Sequence, residues 1–473
     1  MNISYNEMII YKIHVRGYTM QRGSKVKNKG TFLGLQDKIS YWKELGVTTI
    51  ELMPTYDFDD FPANYWGYTR GDYFSPKAEF CETENPEREV KDFIAALHET
   101  GLECLMDFYF PEACAPELVL EVLQFWRKEY NIDGFVVSGA GVRFDFLAKD
   151  EVLAETKLMC PGYDMNQIYK NKPPKVKHLA EYNTNFQNCM RRFLRGDREQ
   201  IPGVIYFLKE NPETHGKIQY MANHDGFTLA DMVSYDYRHN EANGEDNLDG
   251  NRENYSWNCG VEGPTRRKAI LDLRKRQMRN AMMLLMLSQG TPLIYAGDEF
   301  GNSQKGNNNP YCQDNEVGWT NWMKAKGNAD FTKFVKDLIQ FRKNHPILHM
   351  PREIKGSDAK GFGYPEVSYH SGKAWYADMT PASRHVGVLY CGFYAQKEDG
   401  TADDFIYIMY NMNEQPKDFA LPRLPKGMKW YLAADSGRDT ENAILQDGKE
   451  ERLADAKYYK ADGRSIVVLL GKE

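Results

Sequence analysis

Residues Leu35–Met53, LQDKISYWKELGVTTIELM, carry the pattern that decides the fold. Leu35–Leu45 has apolar residues at helical spacing, and Val47–Met53 is a nearly continuous apolar run rich in β-branched residues. A run of this kind is typical of a strand buried on both faces, as the strands of a parallel sheet are. The stretch therefore predicts a helix followed by a buried parallel strand.

The same alternation of strand and helix recurs over the first three quarters of the chain. Further strands are predicted at Ile9–Val15, Leu102–Phe110, Lys217–Ala222 and Pro292–Tyr295, and further helices at Glu87–Thr100, Ala115–Tyr130, Arg274–Leu287 and Asp330–Asn344. Repeated βα units predict an α/β fold built on a parallel barrel or on a doubly wound sheet. The pattern of the residues leaves both open.

The pattern changes after about Pro351. Short apolar runs now lie between turn-rich segments, with no long helix between them: Val386–Tyr390, Phe405–Asn411, Trp430–Ala433 and Ser465–Leu470. This spacing is typical of antiparallel strands. We predict a second domain, a small antiparallel β-domain formed by residues 351–473.

Composition and charge exclude several classes of function. The 473 residues carry a formal net charge of −7 and show no cluster of Lys and Arg, so we expect no nucleic-acid partner. The most apolar run, Ala281–Leu287, is too short to span a bilayer, so we expect no membrane partner. Met1–Tyr11 lacks the pattern of a secretory signal, and the eight cysteines form no CxxC pair. We therefore expect a cytoplasmic protein with reduced thiols.

Two loop segments after predicted strands carry side chains suited to sugars. Asn64–Tyr68, NYWGY, offers Tyr65, Trp66 and Tyr68, whose flat rings suit stacking on a sugar ring, although such rings equally often only pack a loop. Asn308 and Gln313 carry amides that could bond sugar hydroxyls as donor and acceptor at once, or could instead bond the loop itself.

Several runs, in this order along the chain, resemble the isoamylase and glycogen-debranching group of the alpha-amylase superfamily. They are NYWGY at 64–68, MANHDGFTL at 221–229, HNEANGED at 239–246, NYSWNCG at 254–260, SQGTP at 288–292, AGDEFG at 296–301 and GNNNPYCQDNE at 306–316. The resemblance implies a (β/α)8 TIM barrel over residues 1–350, a C-terminal β-sandwich over residues 351–473, α-glucan substrates, and neither metal nor cofactor. The family's N-terminal glucan-binding domain is expected to be absent, because the chain starts at the first predicted barrel strand.

The resemblance also implies where the catalytic residues should lie. Retaining hydrolysis needs a carboxylate nucleophile and a carboxylic acid about 5–5.5 Å apart. His224 and Asp225 match the family's His-Asp pair, which implies a sugar contact and the carboxylate that supports the transition state. The nucleophile position in the fourth strand, however, holds Ser138, and the arginine position before it holds Val136. The acid position in the fifth strand holds Pro161, and neither serine nor proline can replace a carboxyl group.

The end of the third strand departs from the family as well. Pro111 and Glu112 stand where the family has Asn and His, and only Pro111–Pro116 connects this strand to its helix, so one wall of the usual cleft is expected to be missing. These losses favour a protein of α-glucan metabolism that binds α-glucan or malto-oligosaccharide, or that regulates or scaffolds, with hydrolase activity lost or strongly reduced. A protein partner cannot be named from the sequence.

One alternative keeps the enzyme active as an α-1,6-glucan hydrolase with relocated carboxylates. Gly141–Ala148, GVRFDFLA, mimics the nucleophile motif and would make Asp145 the nucleophile, with Arg143 on the same face of a strand. This requires the fourth strand to continue past residue 138, whereas the two glycines of Ser138–Gly141 favour a turn.

Overall fold

The computed structural model describes residues 2–60, 63–170, 172–454 and 457–473. Eight parallel strands close into a barrel, in which neighbours along the chain are paired and the eighth strand pairs with the first. They are β1 Ile10–Ile13, β2 Thr49–Leu52, β3 Glu103–Tyr109, β4 Gly134–Ser138, β5 Lys157–Pro161, β6 Leu179–Tyr182, β7 Gly216–Tyr220 and β8 Thr291–Tyr295. The predicted TIM barrel is confirmed, and the doubly wound sheet is excluded.

The helices outside the barrel differ greatly in length. They are α1 Val15–Thr19, α2 Phe32–Gln36, α3 Ile39–Leu45, α4 Pro86–Glu99, α5 Pro116–Glu129, α6 Phe144–Leu147, α7 Asn166–Tyr169, α8 Thr184–Arg195, α9 Ile201–Lys209, α10 Leu229–Met232, α11 Lys268–Met286, α12 Trp322–Gly327 and α13 Ala329–Asn344. Single helical turns, α6 and α7, follow β4 and β5.

Helix α4 shows why these segments are helical. The Asn85 side chain accepts a hydrogen bond from Arg88 N, and Pro86 occupies the first helical position, where its missing N–H costs nothing. The apolar side chains that recur at helical spacing are buried against the barrel: Val90, Phe93, Ile94 and Leu97.

The C-terminal strands are antiparallel, as predicted. They are β9 Val367–His370, β10 His385–Tyr390, β11 Phe405–Asn411, β12 Lys417–Ala420, β13 Lys429–Asp435, β14 Glu451–Arg452, β15 Tyr458–Ala461 and β16 Ser465–Lys472. Six of them form one sheet in the order β9-β10-β11-β16-β13-β14, and β12 pairs with β15 in a second sheet.

Buried polar contacts join this region to the barrel. Arg279 of α11 is buried and donates from Nε and Nη2 to the Ser436 carbonyl, at 3.1 and 2.9 Å, and from Nη1 to Thr440 Oγ1 at 2.7 Å. Ser436 in turn donates from Oγ to Asn280 Oδ1 at 2.5 Å. Helix α11 therefore contacts both the barrel and the C-terminal sheet.

All eight cysteines are free thiols, and five are buried. Among the helices that the structure describes, none combines the length and the apolar character needed to cross a bilayer.

Candidate functional site

The ends of β4 and β5 hold no carboxylate at the two positions that the family pattern singles out. Ser138 is the last residue of β4, and its Oγ donates to the Phe108 carbonyl at 3.4 Å. Pro161 is the last residue of β5 and is exposed. Val136 packs among the apolar side chains inside the barrel. A neutral hydroxyl, a pyrrolidine ring and an isopropyl group therefore occupy these three positions.

The turn after β4 lies directly against the short connection between β3 and α5. Gly139 has φ +101°, and a Cβ there would lie 2.2 Å from the Phe110 carbonyl oxygen. A Cβ at Gly141 would lie 2.3 Å from the Pro111 carbonyl oxygen, and Gly141 N donates to the Phe110 carbonyl at 3.0 Å. Only glycine fits so close an approach, so the two glycines end the strand, as predicted.

Asp145 does not lie on a strand. It lies in the single turn α6, its side chain is 45% exposed, and its Oδ1 lies 3.5 Å from Nε of Arg143, which is more exposed still. The condition under which Asp145 could be the nucleophile, a continued β4, is not met. The physical reason is the Gly139–Gly141 turn, which redirects the chain before Asp145.

A buried lysine occupies the mouth of the barrel. Lys12 of β1 is 1% exposed, and its Nζ lies 2.9 Å from Glu51 Oε1 and 2.8 Å from Asp107 Oδ2. Tyr68 Oη donates to Asp107 Oδ2 at 2.5 Å, and Tyr182 Oη donates to Glu51 Oε1 at 2.6 Å. We call Lys12, Glu51, Asp107, Tyr68 and Tyr182 the barrel ion cluster.

The charges of this cluster depend on one another. Burial alone lowers the pKa of Lys12, but the carboxylates of Asp107 and Glu51 raise that pKa above its ordinary value. Burial raises the pKa of Asp107 to about 7, partly offset by Lys12. Asp107 Oδ1 has no hydrogen-bond partner in the described part of the chain. Asp107 on β3 is paired in register with Val136 on β4, the position at which the family pattern has an arginine. Because Lys12 pairs with Asp107, it places a cation close to that position.

Sequence reasoning missed this cluster. Its signal was present, because single charged residues stand inside apolar strands: Lys12 in IYKI, Glu51 in TIEL and Asp107 in ECLMDFY. A charge in a strand buried on both faces needs a partner, because an unpaired charge is costly to bury.

Trp66, Tyr68 and His224 form one aromatic group beside the ion cluster. The rings of Tyr68 and His224 are stacked with centroids 4.8 Å apart, and Trp66 meets His224 edge to face at 4.8 Å. Trp66 is buried, whereas Tyr68 and His224 are partly exposed. Burial lowers the pKa of His224. These partly exposed rings are the surfaces that remain for a ligand.

Tyr65 was predicted to contact sugar, but in the structure its side chain packs within the protein. Its ring is buried and stacks on His14 with centroids 4.0 Å apart. Its hydroxyl donates to the Gly318 carbonyl at 3.1 Å. Tyr65 therefore anchors its loop.

Asn308 and Gln313 are likewise engaged within the protein. Asn308 is 1% exposed; its Oδ1 accepts from Asn240 Nδ2 at 2.8 Å, and its Nδ2 donates to Asn251 O and Asn254 Oδ1, both at 2.8 Å. Gln313 is buried, donates to Ala242 O and Asn243 Oδ1, and accepts from Asn315 Nδ2. In the structure these amides therefore link two loops, the second of the two parts that the sequence left open; a sugar contact for them stays a prediction.

Asp225 lies at the edge of a polar pocket. Its side chain is exposed, and its carbonyl accepts a hydrogen bond from Asn251 Nδ2 at 2.7 Å. The pocket has a volume of about 150 Å³ and is lined, besides Asp225, by Thr184, Gln187, Asn188, Arg191, Gly226, Asn251, Glu253, Asn254 and Tyr255. Amide, hydroxyl and carboxylate groups of this kind can donate to and accept from sugar hydroxyls.

Among the described residues, one group of three side chains has the spacing of metal ligands: His345, Asp403 and Asp404. Their atoms already have partners. Asp403 Oδ1 accepts from Asp404 N and lies 2.8 Å from His345 Nδ1, and Asp403 Oδ2 accepts from Ile347 N at 3.0 Å. These contacts tie the end of α13 to the C-terminal domain.

Two family models match the chain. Residues 18–111 match the alpha amylase catalytic domain, and residues 391–470 match the isoamylase C-terminal domain. Among solved structures, the fold is similar to pullulanase from Bacillus acidopullulyticus, with a TM-score of 0.72 and 18% identity over 99% of this chain and 61% of that chain. It is also similar to pullulanase type I from Bacillus subtilis complexed with maltose, with a TM-score of 0.73 and 18% identity over 99% of this chain and 70% of that one.

Curated relatives match almost the whole chain. Isoamylase 1, chloroplastic, from Arabidopsis thaliana is 30% identical over 97% of this chain and 70% of its own length. Isoamylase SU1, chloroplastic, from Zea mays is 28% identical, over 94% and 67%, and the glycogen operon protein GlgX homolog from Mycobacterium tuberculosis is 29% identical, over 91% and 72%. This chain thus spans about two thirds of the length of these relatives. It belongs to the isoamylase and glycogen-debranching group of the alpha-amylase superfamily.

Proposed function

We propose that this protein binds α-glucan or malto-oligosaccharide and hydrolyses it weakly or not at all. The observation that carries the proposal is the pair of positions at the ends of β4 and β5, Ser138 and Pro161. Retaining hydrolysis needs a carboxylate that bonds the anomeric carbon and an acid that protonates the leaving oxygen. A neutral serine hydroxyl is a weak nucleophile without an adjacent base, and proline has no proton to donate.

Two carboxylates inside the barrel are already engaged. Glu51 accepts from Tyr182 and pairs with Lys12, and Asp107 accepts from Tyr68 and pairs with Lys12. Charge-assisted hydrogen bonds from a cation and a phenol stabilise a carboxylate and so reduce its nucleophilicity. The ion cluster therefore opposes a relocated catalytic pair as well.

The polar side chains at the barrel mouth that lie outside the ion cluster suit the binding of a sugar. The exposed carboxylate of Asp225 and the amides of Gln187, Asn188 and Asn251 line one pocket. Its volume of about 150 Å³ is below the roughly 300–1,000 Å³ typical of pockets for larger ligands. We expect it to hold one sugar unit, such as a chain end, with the rest of the chain in solvent or on the partly exposed rings of Tyr68 and His224.

The second candidate is an α-1,6-glucan hydrolase. Family membership and the retained Asp225 favour it. It would need a nucleophile and an acid from residues other than Ser138 and Pro161, and Asp145 is the carboxylate that the sequence offers for the first of these roles.

The two candidates can be separated with purified protein. Reducing ends are assayed after incubation with glycogen, amylopectin and pullulan, and maltotriose binding is measured by calorimetry. We expect no release above the blank, and saturable binding that Asp225→Ala weakens at least about tenfold. Asp145→Ala serves as the matched control, an exposed aspartate outside the pocket, and should bind as the unmodified protein does. Turnover that Asp145→Ala abolishes would establish the hydrolase, and absence of any binding would overturn the proposal.

A further inference from the structure

Three segments of the chain enclose the pocket beside Asp225, which we call the Asp225 pocket. One face of α8 forms the first wall, because four of its residues line the pocket at the helical spacing i, i+3, i+4 and i+7: Thr184, Gln187, Asn188 and Arg191. The loop after β7 supplies Asp225 and Gly226, and the segment 251–255 supplies the third wall. The shape of the pocket therefore depends on how these three walls are held together.

One buried side chain bonds to both of the other walls. Arg191 belongs to the α8 wall and is 3% exposed. Its Nε donates to the Met221 carbonyl at 2.7 Å, and its Nη2 donates to the Phe227 carbonyl at 3.1 Å. These two carbonyls lie on either side of Asp225 in the chain. Because Nη1 also donates to the Asn254 carbonyl at 3.0 Å, a single guanidinium group fixes both ends of the segment 221–227 and ties it to the segment 251–255.

The planar guanidinium group suits this task. It presents its N–H groups in fixed directions, so three carbonyl oxygens can bond to it only if their segments lie in fixed relative positions. Each bond has a charged donor, and such bonds are stronger than those between neutral groups. Helix α8 provides a firm base, because the Asn183 side chain accepts from Phe186 N in its first turn and the apolar face that includes Met190 and Phe193 is buried.

We propose that Arg191 is the positioning residue of the Asp225 pocket; this rests on the proposed function. Arg191 holds Asp225 opposite the segment 251–255 before a sugar arrives, so the sugar does not have to order the two segments when it binds. Asn251 Nδ2 donates to the Asp225 carbonyl at 2.7 Å, a bond that depends on the same spacing. Arg191 thus sets the affinity for α-glucan through the side chains it positions, and need not bond the sugar itself.

The chain offers a closely matched control at the other end of the barrel. Arg342 of α13 is 1% exposed and also donates to three backbone carbonyls, those of Met286, Ser288 and Gly290, at 2.7, 2.6 and 2.7 Å. These carbonyls come just before β8, whereas the loop with Asp225 comes just after β7. Parallel strands begin at one end of a barrel and end at the other. Replacement of Arg342 therefore removes the same kind of contact far from the pocket.

The test compares Arg191→Met with Arg342→Met in the full chain. Maltotriose affinity is measured by calorimetry, and exchange of the backbone amide hydrogens is followed by mass spectrometry. Methionine keeps a flexible, unbranched side chain but has no N–H group to donate. If Arg191→Met does not fold, Arg191→Lys takes its place with the same expectations, because lysine keeps the charge but not the planar fork. Thermal melts show which variants are folded.

We expect Arg191→Met to weaken maltotriose binding at least about tenfold, because the walls are no longer ordered in advance. Hydrogen exchange should become faster in the segments 221–227 and 251–255 and stay unchanged in β3. Arg342→Met should keep the affinity within about twofold, since distant sites act independently. The exchange measurement distinguishes positioning from a general loss of stability, which would speed exchange throughout the barrel.

Two results for binding would overturn the role of Arg191 and leave the proposed function standing. One is an unchanged affinity of the Arg191 variant, and the other is an equal loss in Arg342→Met. Faster exchange in every barrel strand, or failure of both Arg191 variants to fold, would overturn it as well, because Arg191 would then serve the whole fold. If the unmodified protein does not bind maltotriose, the proposed function is wrong, and the role of Arg191 falls with it.

Discussion

Lys12 Nζ lies 2.8 Å from Asp107 Oδ2, with both side chains buried in the mouth of the barrel. The two residues come from β1 and β3, and β2 between them adds Glu51 at 2.9 Å from the same nitrogen. This cation holds both carboxylates in the interior, where an uncompensated negative charge would be costly. The barrel mouth of this family member is thus organised around a buried ion cluster.

Replacement of Lys12 should reveal how strongly the barrel depends on the cluster. Lys12→Met leaves Glu51 and Asp107 without their cation, and removal of one partner from a buried ion pair typically costs about 3–5 kcal/mol. We expect the free energy of unfolding in urea to fall by that amount. Lys333→Met is the control, because Lys333 pairs with Asp337 on the surface of α13, where such a pair contributes under about 0.5 kcal/mol. Similar losses in the two variants would contradict this account.

Asp107 should make stability depend on pH in the acid range. Burial raises its pKa in the folded protein from 3.8 to about 7. Between these values the folded state keeps a proton that the unfolded state releases, so the free energy of unfolding should fall as pH rises from 4 to 7. The slope from this group is at most about 1.4 kcal/mol per pH unit and vanishes above pH 7.

The measurement is urea unfolding at several pH values for the unmodified protein and for Asp107→Asn. The asparagine variant lacks the titrating group, so the difference in stability between the two proteins should change across this window. Parallel stability curves for the two proteins would show that Asp107 does not titrate there.

The turn after β4 should tolerate no side chain. At Gly139, alanine would combine a left-handed φ of +101° with a Cβ 2.2 Å from the Phe110 carbonyl oxygen. We expect Gly139→Ala to destabilise the fold by about 2–4 kcal/mol, seen as a lower melting temperature. Gly327→Ala at the end of α12 is the matched control, because no atom lies within 4 Å of its Cβ position and its φ is not left-handed. If Gly139→Ala is as stable as Gly327→Ala, the turn after β4 can rearrange to accommodate a side chain, and the prediction is wrong.

Arg279 should govern the attachment of the C-terminal domain. Arg279→Ala removes its hydrogen bonds to Ser436 and Thr440 and leaves the buried Ser436 carbonyl with fewer donors. The expected loss in the free energy of unfolding is about 2–4 kcal/mol. Lys275→Ala, an exposed change on the same helix, should alter stability by less than about 0.5 kcal/mol. The two variants are compared by calorimetric scans, and an equal small effect of both would show that other contacts hold the domain.

Much of this protein could be predicted from local patterns. The continuous apolar run at Val47–Met53 and its repeats predicted the parallel strands, because a strand buried on both faces has an apolar residue at nearly every position. The glycines at 139 and 141 predicted the turn that ends β4. Motifs in the right order also led to Ser138 and Pro161, each the last residue of a strand, and to Asp225, which follows the end of β7 by five residues.

The tertiary structure alone decided which polar side chains are free and which are engaged. Lys12, Glu51 and Asp107 are far apart in the sequence and meet only because three parallel strands lie side by side. Asn308 was predicted to contact sugar, but Asn240, 68 positions away, bonds its amide. The sequence by itself determined the strands and the family, because these depend on short-range patterns. Charge balance and hydrogen-bond saturation depend on distances between remote residues, and only the closed barrel sets those distances.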